Sequence, residues 1–578
     1  MENNEKLTRI RHSLAHLLAM AVKEKDPGVK LGIGPIIDTG FYYDFAFSKA
    51  YSPSTEDLQL FETRMRELIK EKLVFTISEI APDEARKTFK NEPYKCELVE
   101  ELARSGEKLT TYTSGAFTDL CAGPHVTDTS EINPDAFAIT HSAGAYWRGN
   151  EKNVMLTRIY GAAFETPEEL AEWKRNKEEA TARDHRKLGK ELGLFAFSDL
   201  VGSGLPLFTP KGTKMRSLIV ERIETLQESY GYERVTIPHI TKKELYETSG
   251  HWEKFKDDLF HVKGRGNVEF VMKPMNCPHH TQIFASTQRS YRDLPIRYME
   301  TTMVYRDEQQ GELLGLSRVR AISQDDGHVF CRMDQVGGEV TNIIRVIKTF
   351  YTDLGMFVEG KYWVSLSVRD MAHKEKYLGN DAHWTEAEQM LEECAQKEQL
   401  NYKRIEGEAA FYGPKLDFMF KDSLEREWQL GTVQVDFVMP ERFKLEYTGE
   451  DGGKQTPVMI HRAIAGSLER FMAILIEHFA GAFPAWLAPV QAVVLPVGGA
   501  HKDYVREVLN ELKRRGVRAE LDERDESLGK RIRDAKLQKL PYLLVVGDKE
   551  LASNTITVEG RDGSLGAMSI EDFVEKIR

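Results

Sequence analysis

With 578 residues, 41% hydrophobic and 29% charged, the chain has an ordinary globular composition and length for about three or four domains. Five scattered cysteines (Cys96, Cys121, Cys277, Cys331, Cys394) exclude a disulfide framework, and the most apolar stretch, residues 471–489, is broken by Glu477, His478 and two prolines, which excludes a bilayer span. A polar start without a signal-peptide pattern predicts a cytoplasmic protein, and the net charge of −12 leaves nucleic-acid binding undecided, because residues 491–578 hold 16 basic and 16 acidic side chains and the excess acid lies upstream.

In chain order, residues 1–163 open with a helical pattern and continue in short strands such as FYYDFAF and YTSGAFTDL. Residues 164–186 form a highly charged run, predicted as a solvated connector helix. A Gly/Pro-rich passage, GLFAFSDLVGSGLPLFTPKG, opens a region from 187 to 486. It mixes amphipathic helices (TKMRSLIVERIETLQESYGY) with β-rich runs (WVSLSVRD, LDFMF, WQLGTVQVDFVMP). These runs do not alternate with helices, which predicts a mostly antiparallel sheet, and the two prolines of FPAWLAP are expected to close the last long helix. From 487 to 578 the order strand, helix, strand, helix, strand predicts a small α/β domain with parallel strands. The fold class is therefore multidomain α+β with a carboxy-terminal α/β domain.

Two constellations carry chemistry. His12 and His16 lie four residues apart on the opening helix, so they share a face, and Cys121 and His125 lie in the loop DLCAGPHV. The spacing fits a zinc site. It equally fits a metal-free pocket in which neutral imidazoles position a water, or ordinary polar residues on a half-buried helix. Between residues 273 and 471 a second set follows: KPMNCPHH, YRDE, LSRVRAISQDDGHVFC, YGPK, WQLGTVQVDF and HRAIAGSLERF. Its arginines are always-charged planar donors, suited to phosphates that gain charge in a transition state.

These runs resemble the threonyl-tRNA synthetases, a class II aminoacyl-tRNA synthetase family, from about Lys6 to the end of the chain. Arg306 and Glu308 match the Arg-x-Glu of the second class II motif, Arg470 the arginine of the third, and Pro238 the proline of the first, which implies a homodimer. The resemblance implies ATP-dependent attachment of L-threonine to threonine tRNA through threonyl-adenylate, with Mg²⁺ accompanying ATP. It places Arg306 on the α-phosphate and the amino-acid carboxylate, Arg318 on the γ-phosphate, Arg470 against the adenine and Glu308 on the adenine amine. Gln429 joins the ATP-binding and catalytic sets, and His251 the catalytic one. Cys277, His328 and His461 would hold one Zn²⁺ per subunit and leave a position for threonine. Met275, Gln324, Asp326, Tyr412 and Gln434 would contact that amino acid, with Asp326 accepting from its hydroxyl. His279 and His280 are expected to be neighbours only.

A hydroxyl-reading site rejects valine strongly, whereas serine differs from threonine by one methyl, worth only ~1–3 kcal/mol. A second, hydrolytic site is therefore expected. The first block resembles the family's editing domain through His12, His16, Lys95, Asp119, Cys121 and His125, which implies water-mediated hydrolysis of seryl-tRNA without metal. The last block resembles an anticodon-binding domain, with Asp525 and Glu550 at base-contact positions. Its Lys530, Arg531, Arg533, Lys536 and Lys539 are expected on one phosphate-binding helix, or on a solvated helix balanced by acids. The form expected is one without the further small domain that many relatives carry ahead of the editing domain. Ile322 stands where an adenine-stacking aromatic is usual, Asp307 and Leu314 replace Asn and His, and Asp525 and Glu559 replace Asn and Arg. These departures motivate one alternative, a divergent RNA-binding or regulatory paralogue without charging activity.

Overall fold

Ile10, Leu14, Leu17, Leu18 and Val22 recur at helical spacing, and the opening helix, Glu2–Lys25, buries them in the first core. The computed structural model describes residues 2–48, 51–150, 152–266 and 268–577 and divides into two units, Met1–Glu178 and Glu179–Arg578. In the first unit, antiparallel strands Gly40–Ala46, Met155–Ala163 and Phe137–Tyr146 form the body of a sheet, with two short strands beside Gly40–Ala46. The passage YTSGAFTDL is not one strand but a hairpin, Thr110–Ser114 and Phe117–Leu120, turned at Gly115 with φ +58°. A left-handed φ costs glycine no Cβ clash, which is why the turn falls there.

The charged connector also differs from expectation. It is two helices, Pro167–Arg183 and His185–Glu191. Asp184 interrupts them because its side chain accepts from the Arg186 backbone N–H and so caps a new helix. His185 is buried rather than solvated.

The second unit is built on an eight-stranded sheet. Its order is Glu233–Arg234, Ile296–Tyr305, Ala321–Cys331, Val458–Ala463, Glu427–Asp436, Lys415–Lys421, Tyr362–Val368 and Tyr402–Glu406. The inner pairs are antiparallel, as the lack of interleaved helices predicted, while both edge pairs are parallel. At one edge the reason is visible in the chain: helix Asp381–Lys397 carries it from Tyr362–Val368 to Tyr402–Glu406, and a helical crossover is what parallel neighbours require. Helices Val336–Asp353 and Leu468–His478 bury apolar side chains in the large core of this unit. The last helix stops at His478, before either proline of FPAWLAP; Ala480 and Gly481, at φ +48° and +78°, turn the chain away first.

One buried ion pair fixes the sheet's centre. Arg462, 2% exposed, donates to Asp325 at 2.6 Å and to Gln227, while Asp325 also accepts from the backbone N–H groups of Ile464 and Ala465. A Cβ at position 327 would overlap the Arg462 guanidinium, which explains glycine in QDDGH. Arg462→Ala leaves the Asp325 charge buried without its partner and is expected to cost about 3–5 kcal/mol. Urea unfolding would check this: an unchanged midpoint would contradict it.

In the carboxy-terminal sheet Ala492–Pro496 lies between parallel Ala519–Leu521 and Tyr542–Val546, as predicted. Antiparallel Ile556–Gly560 and Gly563–Met568, which the pattern did not reveal, extend it. The predicted basic helix is partly corrected. Leu528–Leu537 carries Lys530, Arg531, Arg533 and Lys536, but Lys539 lies beyond its end. Arg531 is buried and donates to the carbonyls of Asp522, Glu526 and Pro496, so it serves the fold rather than a phosphate. Among the described residues no helix is long and apolar enough to cross a membrane.

Candidate functional site

Strand alternation assembles the site. Along Ala321–Cys331, side chains of residues 322, 324, 326 and 328 share one face and those of 323 and 325 the other. Ile322, Gln324, Asp326 and His328 therefore line up, while Ser323 and Asp325 are buried behind them. Register brings the next strands into place: His328 pairs with His461, and His461 with Gln434. On Glu427–Asp436 the register shift between Phe418 and Met419 of its neighbour restores Gln429 to the face of Thr432, and both donate to Asp417.

One cavity opens on this face and a second adjoins it. One, of about 130 Å³, is lined by Met275, Cys277, Gln324, Asp326, His328, Tyr412, Gln434 and His461 among others. The other, of about 440 Å³, is lined by Asp258, Leu259, Glu308, Gln309, Glu312 and Arg318. Pro274, Met275 and Arg306 belong to both linings. Arg306 thus stands between a space of amino-acid size and a larger one. Arg318 is paired with Glu308 at 2.7 Å and Glu312 at 3.0 Å, and Arg470 donates to the Ser317 carbonyl at 3.1 Å.

In the smaller cavity Tyr412 donates to Gln434 at 2.6 Å, and Asp326 accepts from Asn276 at 3.0 Å. Burial pushes the Asp326 carboxyl above its usual range. Gln429, Ile322, Arg470 and His251 line neither cavity. His251 is buried, bonded to Ser249 at 2.8 Å and packed edge-on against Phe411.

Cys277, His328 and His461 come together although 184 positions separate the first from the last: one donor atom from each lies within 4.8 Å of the others. Cys277 reaches the cluster as the first residue of helix Cys277–Ala285, and the histidines face each other across paired strands. The donor set fits a cation. His461 Nε2 donates to Asp436 at 2.8 Å, which leaves Nδ1 with its lone pair. His328 Nδ1 meets His280 Nδ1 at 2.7 Å, and His280 Nε2 approaches Glu300 at 3.5 Å. With the His280 proton facing Glu300, His328 donates to His280 and keeps a lone pair on Nε2. His328 Nε2 and His461 Nδ1 then face each other at 3.1 Å as two acceptors, an arrangement a shared cation satisfies. Burial pushes the Cys277 thiol well up and the His328 imidazole well down, so both favour their neutral forms, and the neutral imidazole is the one with a lone pair to give. His280 thus does more than adjoin Cys277: it links the Glu300 carboxylate to His328.

In the first unit, His12, His16, Cys121 and His125 also converge. Cys121 Sγ lies 3.3 Å from Nε2 of both His12 and His125, and the three offer donors to one point. His16 instead turns towards Asp119, 3.6 Å away. Asp119 is held by Lys95 at 2.6 Å and by the Tyr43 hydroxyl at 2.5 Å, all three buried. Ser13 was not singled out in the sequence. Its single hydroxyl proton goes to the Arg9 carbonyl at 2.9 Å, so its oxygen accepts from Val126 N–H and from His125 Nδ1. That leaves His125 Nε2 unprotonated towards Cys121. Burial lowers the His12 pKa, carries His16 well below 6.5 and His125 down to about 2, and pushes Cys121 up to about 11. The cluster is neutral at physiological pH. A reaction it catalyses should show no inflection near pH 6.5, the value of a free imidazole. Deacylation rates measured from pH 6 to pH 8 would check this, and a step at that value would contradict it.

In the last domain Glu550 accepts from the Gly547 N–H at 2.9 Å and the Thr557 hydroxyl at 2.7 Å, and Asp525 is exposed. Glu559 is paired with Lys536.

Residues 260–479 match the tRNA synthetase class II core domain (G, H, P, S and T), residues 491–578 an anticodon binding domain, and residues 109–160 the threonyl and alanyl tRNA synthetase second additional domain. The threonine–tRNA ligase of Gloeobacter violaceus is 49% identical over 580 residues, 99% of this chain and 92% of that protein. That of Thermus thermophilus is 50% identical over 586 residues, covering 98% and 88%. Among solved structures, the RNA binding domain of threonyl-tRNA synthetase from Cryptosporidium parvum superposes with a TM-score of 0.65 at 35% identity, over 68% of this chain and 97% of that one. A putative threonyl-tRNA synthetase from Aeropyrum pernix gives 0.61 at 30%, over 68% and 93%. With identity near one half along almost its whole length and three matching domains in order, this chain belongs to the threonine–tRNA ligases, enzymes of the class II aminoacyl-tRNA synthetases.

Proposed function

We propose that the two cavities sharing Arg306 take threonine and ATP, and that the histidine–cysteine cluster of the first unit hydrolyses seryl-tRNA. The observation that carries this reading is the common wall: a guanidinium placed to touch an amino-acid carboxylate on one side and a phosphate on the other. ATP enters as its magnesium complex, and Arg318 exchanges the Glu312 carboxylate for a terminal phosphate. Glu308 remains for the adenine amine. Arg470 and Ile322 flank the base, and Gln429, steadied by Asp417, faces the same side of the sheet. As the carboxylate attacks the α-phosphate and pyrophosphate leaves, Arg306 neutralises charge at the transferred phosphorus. His251, held by Ser249 and Phe411, completes the catalytic set.

Cys277, His328 and His461 would hold zinc, whose chemistry here is to offer an open position to the amine and hydroxyl of the substrate. Asp436 and His280 orient its two imidazoles, Asp326 accepts from the threonine hydroxyl, and Met275, Gln324, Tyr412 and Gln434 bound the space. In the first unit, the buried Lys95–Asp119 pair belongs to the same editing set, and neutral His12, His16 and His125 with Cys121 position the attacking water. Asp525 and Glu550 read the anticodon. The domains assigned are 1–163 for editing, 164–186 for the connector, 187–486 for catalysis and 487–578 for the anticodon. Pro238 is exposed, as a residue meeting the second subunit of a homodimer would be in one subunit alone. Five free thiols suit the cytoplasm.

The test of the editing half is deacylation of preformed seryl-tRNA. His12→Ala should slow it by about 10²–10⁴-fold while leaving threonine activation unchanged; a variant that deacylates like the unaltered chain would remove this assignment.

A further inference from the structure

His185 opens the helix His185–Glu191, far in sequence from the ATP-facing loop, yet it is 3% exposed and bonded on both sides of its ring. Nε2 accepts from the backbone N–H of Leu316 at 3.0 Å. The proton must then reside on Nδ1, which donates to Glu477 Oε1 at 2.6 Å. The His185 backbone N–H donates to the same oxygen at 3.0 Å, and the other oxygen of Glu477 accepts from Arg426 at 2.5 Å. The preceding Arg183 donates to the carbonyls of Glu477 and His478 at 3.3 and 2.9 Å. The helix start is thereby clamped to the end of Leu468–His478, the helix that carries Arg470. Gly315 shows how closely the loop sits on the ring. Its φ is +50°, and any Cβ there would overlap His185 Nε2 and Arg186.

The loop so held is short and its contents matter. Leu316 is fully buried; the Ser317 carbonyl accepts from Arg470; Arg318 follows, closing the turn by donating its N–H to Leu314 at 3.3 Å. We propose that His185 is a positioning residue for the ATP site: by accepting from Leu316 it sets the loop that places Arg318 and, through the Ser317 carbonyl, Arg470. This rests on the reading of Arg318 and Arg470 as ATP contacts. His185 touches no substrate. It converts the position of the connector into the position of two phosphate- and base-facing arginines.

Two substitutions separate the ring's two bonds. Glutamine carries an amide oxygen near the Nε2 position and keeps an acceptor for Leu316. Asparagine keeps a donor near Nδ1 for Glu477 but cannot reach Leu316. ATP–pyrophosphate exchange with each substrate varied in turn, together with thermal melts, gives the readout, and Arg318→Ala serves as the control. His185→Asn should raise the KM for ATP about tenfold with the KM for threonine within about twofold, and His185→Gln should stay near the unaltered enzyme. If His185→Asn leaves the KM for ATP unchanged while Arg318→Ala raises it, the positioning role is wrong and the ATP site stands. If both histidine variants lose activity and melting temperature equally, the ring only supports the fold and the proposal fails. If Arg318→Ala has no effect on ATP, the underlying assignment of the loop is at fault.

Discussion

With zinc held as proposed, replacing Cys277 with alanine is expected to abolish its binding and lower threonine-dependent pyrophosphate exchange by about 10⁴-fold, the scale on which a site built for a hydroxyl rejects a ligand it cannot pair. The three donors come from separate places in the sheet and its covering helix, and each is already fixed by packing or hydrogen bonds. Losing one leaves two buried imidazole lone pairs facing each other with one donor fewer to hold a cation between them. The effect should therefore exceed that of losing a single hydrogen bond. Metal analysis of the purified variant separates this from misfolding. A graded control comes from the outer contacts: His280→Ala removes only the partner of His328 and should weaken metal affinity by about 10–100-fold, read by chelator competition. A Cys277→Ala enzyme that keeps zinc and normal threonine activation would contradict the account.

The second large effect is expected at Arg306. Arg306→Ala should lower kcat/KM for adenylate formation by about 10²–10³-fold, equivalent to about 2.7–4 kcal/mol, because the charge that develops on phosphorus loses a guanidinium donor. The position predicts a double signature. A residue in the wall of both cavities should raise the KM for threonine and for ATP, whereas Arg318→Ala, in the larger cavity alone, should act on ATP only. Separate titrations of the two substrates check this. An Arg306 variant that affects one substrate alone would show that the shared wall does not bridge them. Lysine at 306 should rescue only part of the loss, since an ammonium lacks the planar fork.

Much of this site is legible in the amino-acid sequence. Period-two alternation in AISQDDGHVFC already places Gln324, Asp326 and His328 on one side of a strand, and the i, i+4 spacing of His12 and His16 places them on one side of a helix. Long strands without interleaved helices predict antiparallel pairing. What stays hidden depends on partners distant in sequence. No spacing rule brings His280 and Glu300 behind His328, or Ser13 beneath His125. A bulge decides which way Gln429 points, and alternation alone gives the opposite answer. Charge misleads in two places. Arg531 reads as a phosphate contact although backbone carbonyls consume it, and the connector reads as solvated although His185 is drawn inward by Glu477. In both, a polar side chain is buried because a specific acceptor waits for it, and such acceptors leave no local trace in sequence.

The central claim is that one site reads a hydroxyl and another removes the amino acid that reading lets through. Charging of threonine tRNA with serine and with valine, by the unaltered enzyme and by His12→Ala, tests it most directly. Seryl-tRNA should accumulate with the variant alone, and valyl-tRNA with neither. Valyl-tRNA from either enzyme, or no more seryl-tRNA from the variant than from the unaltered chain, would contradict it.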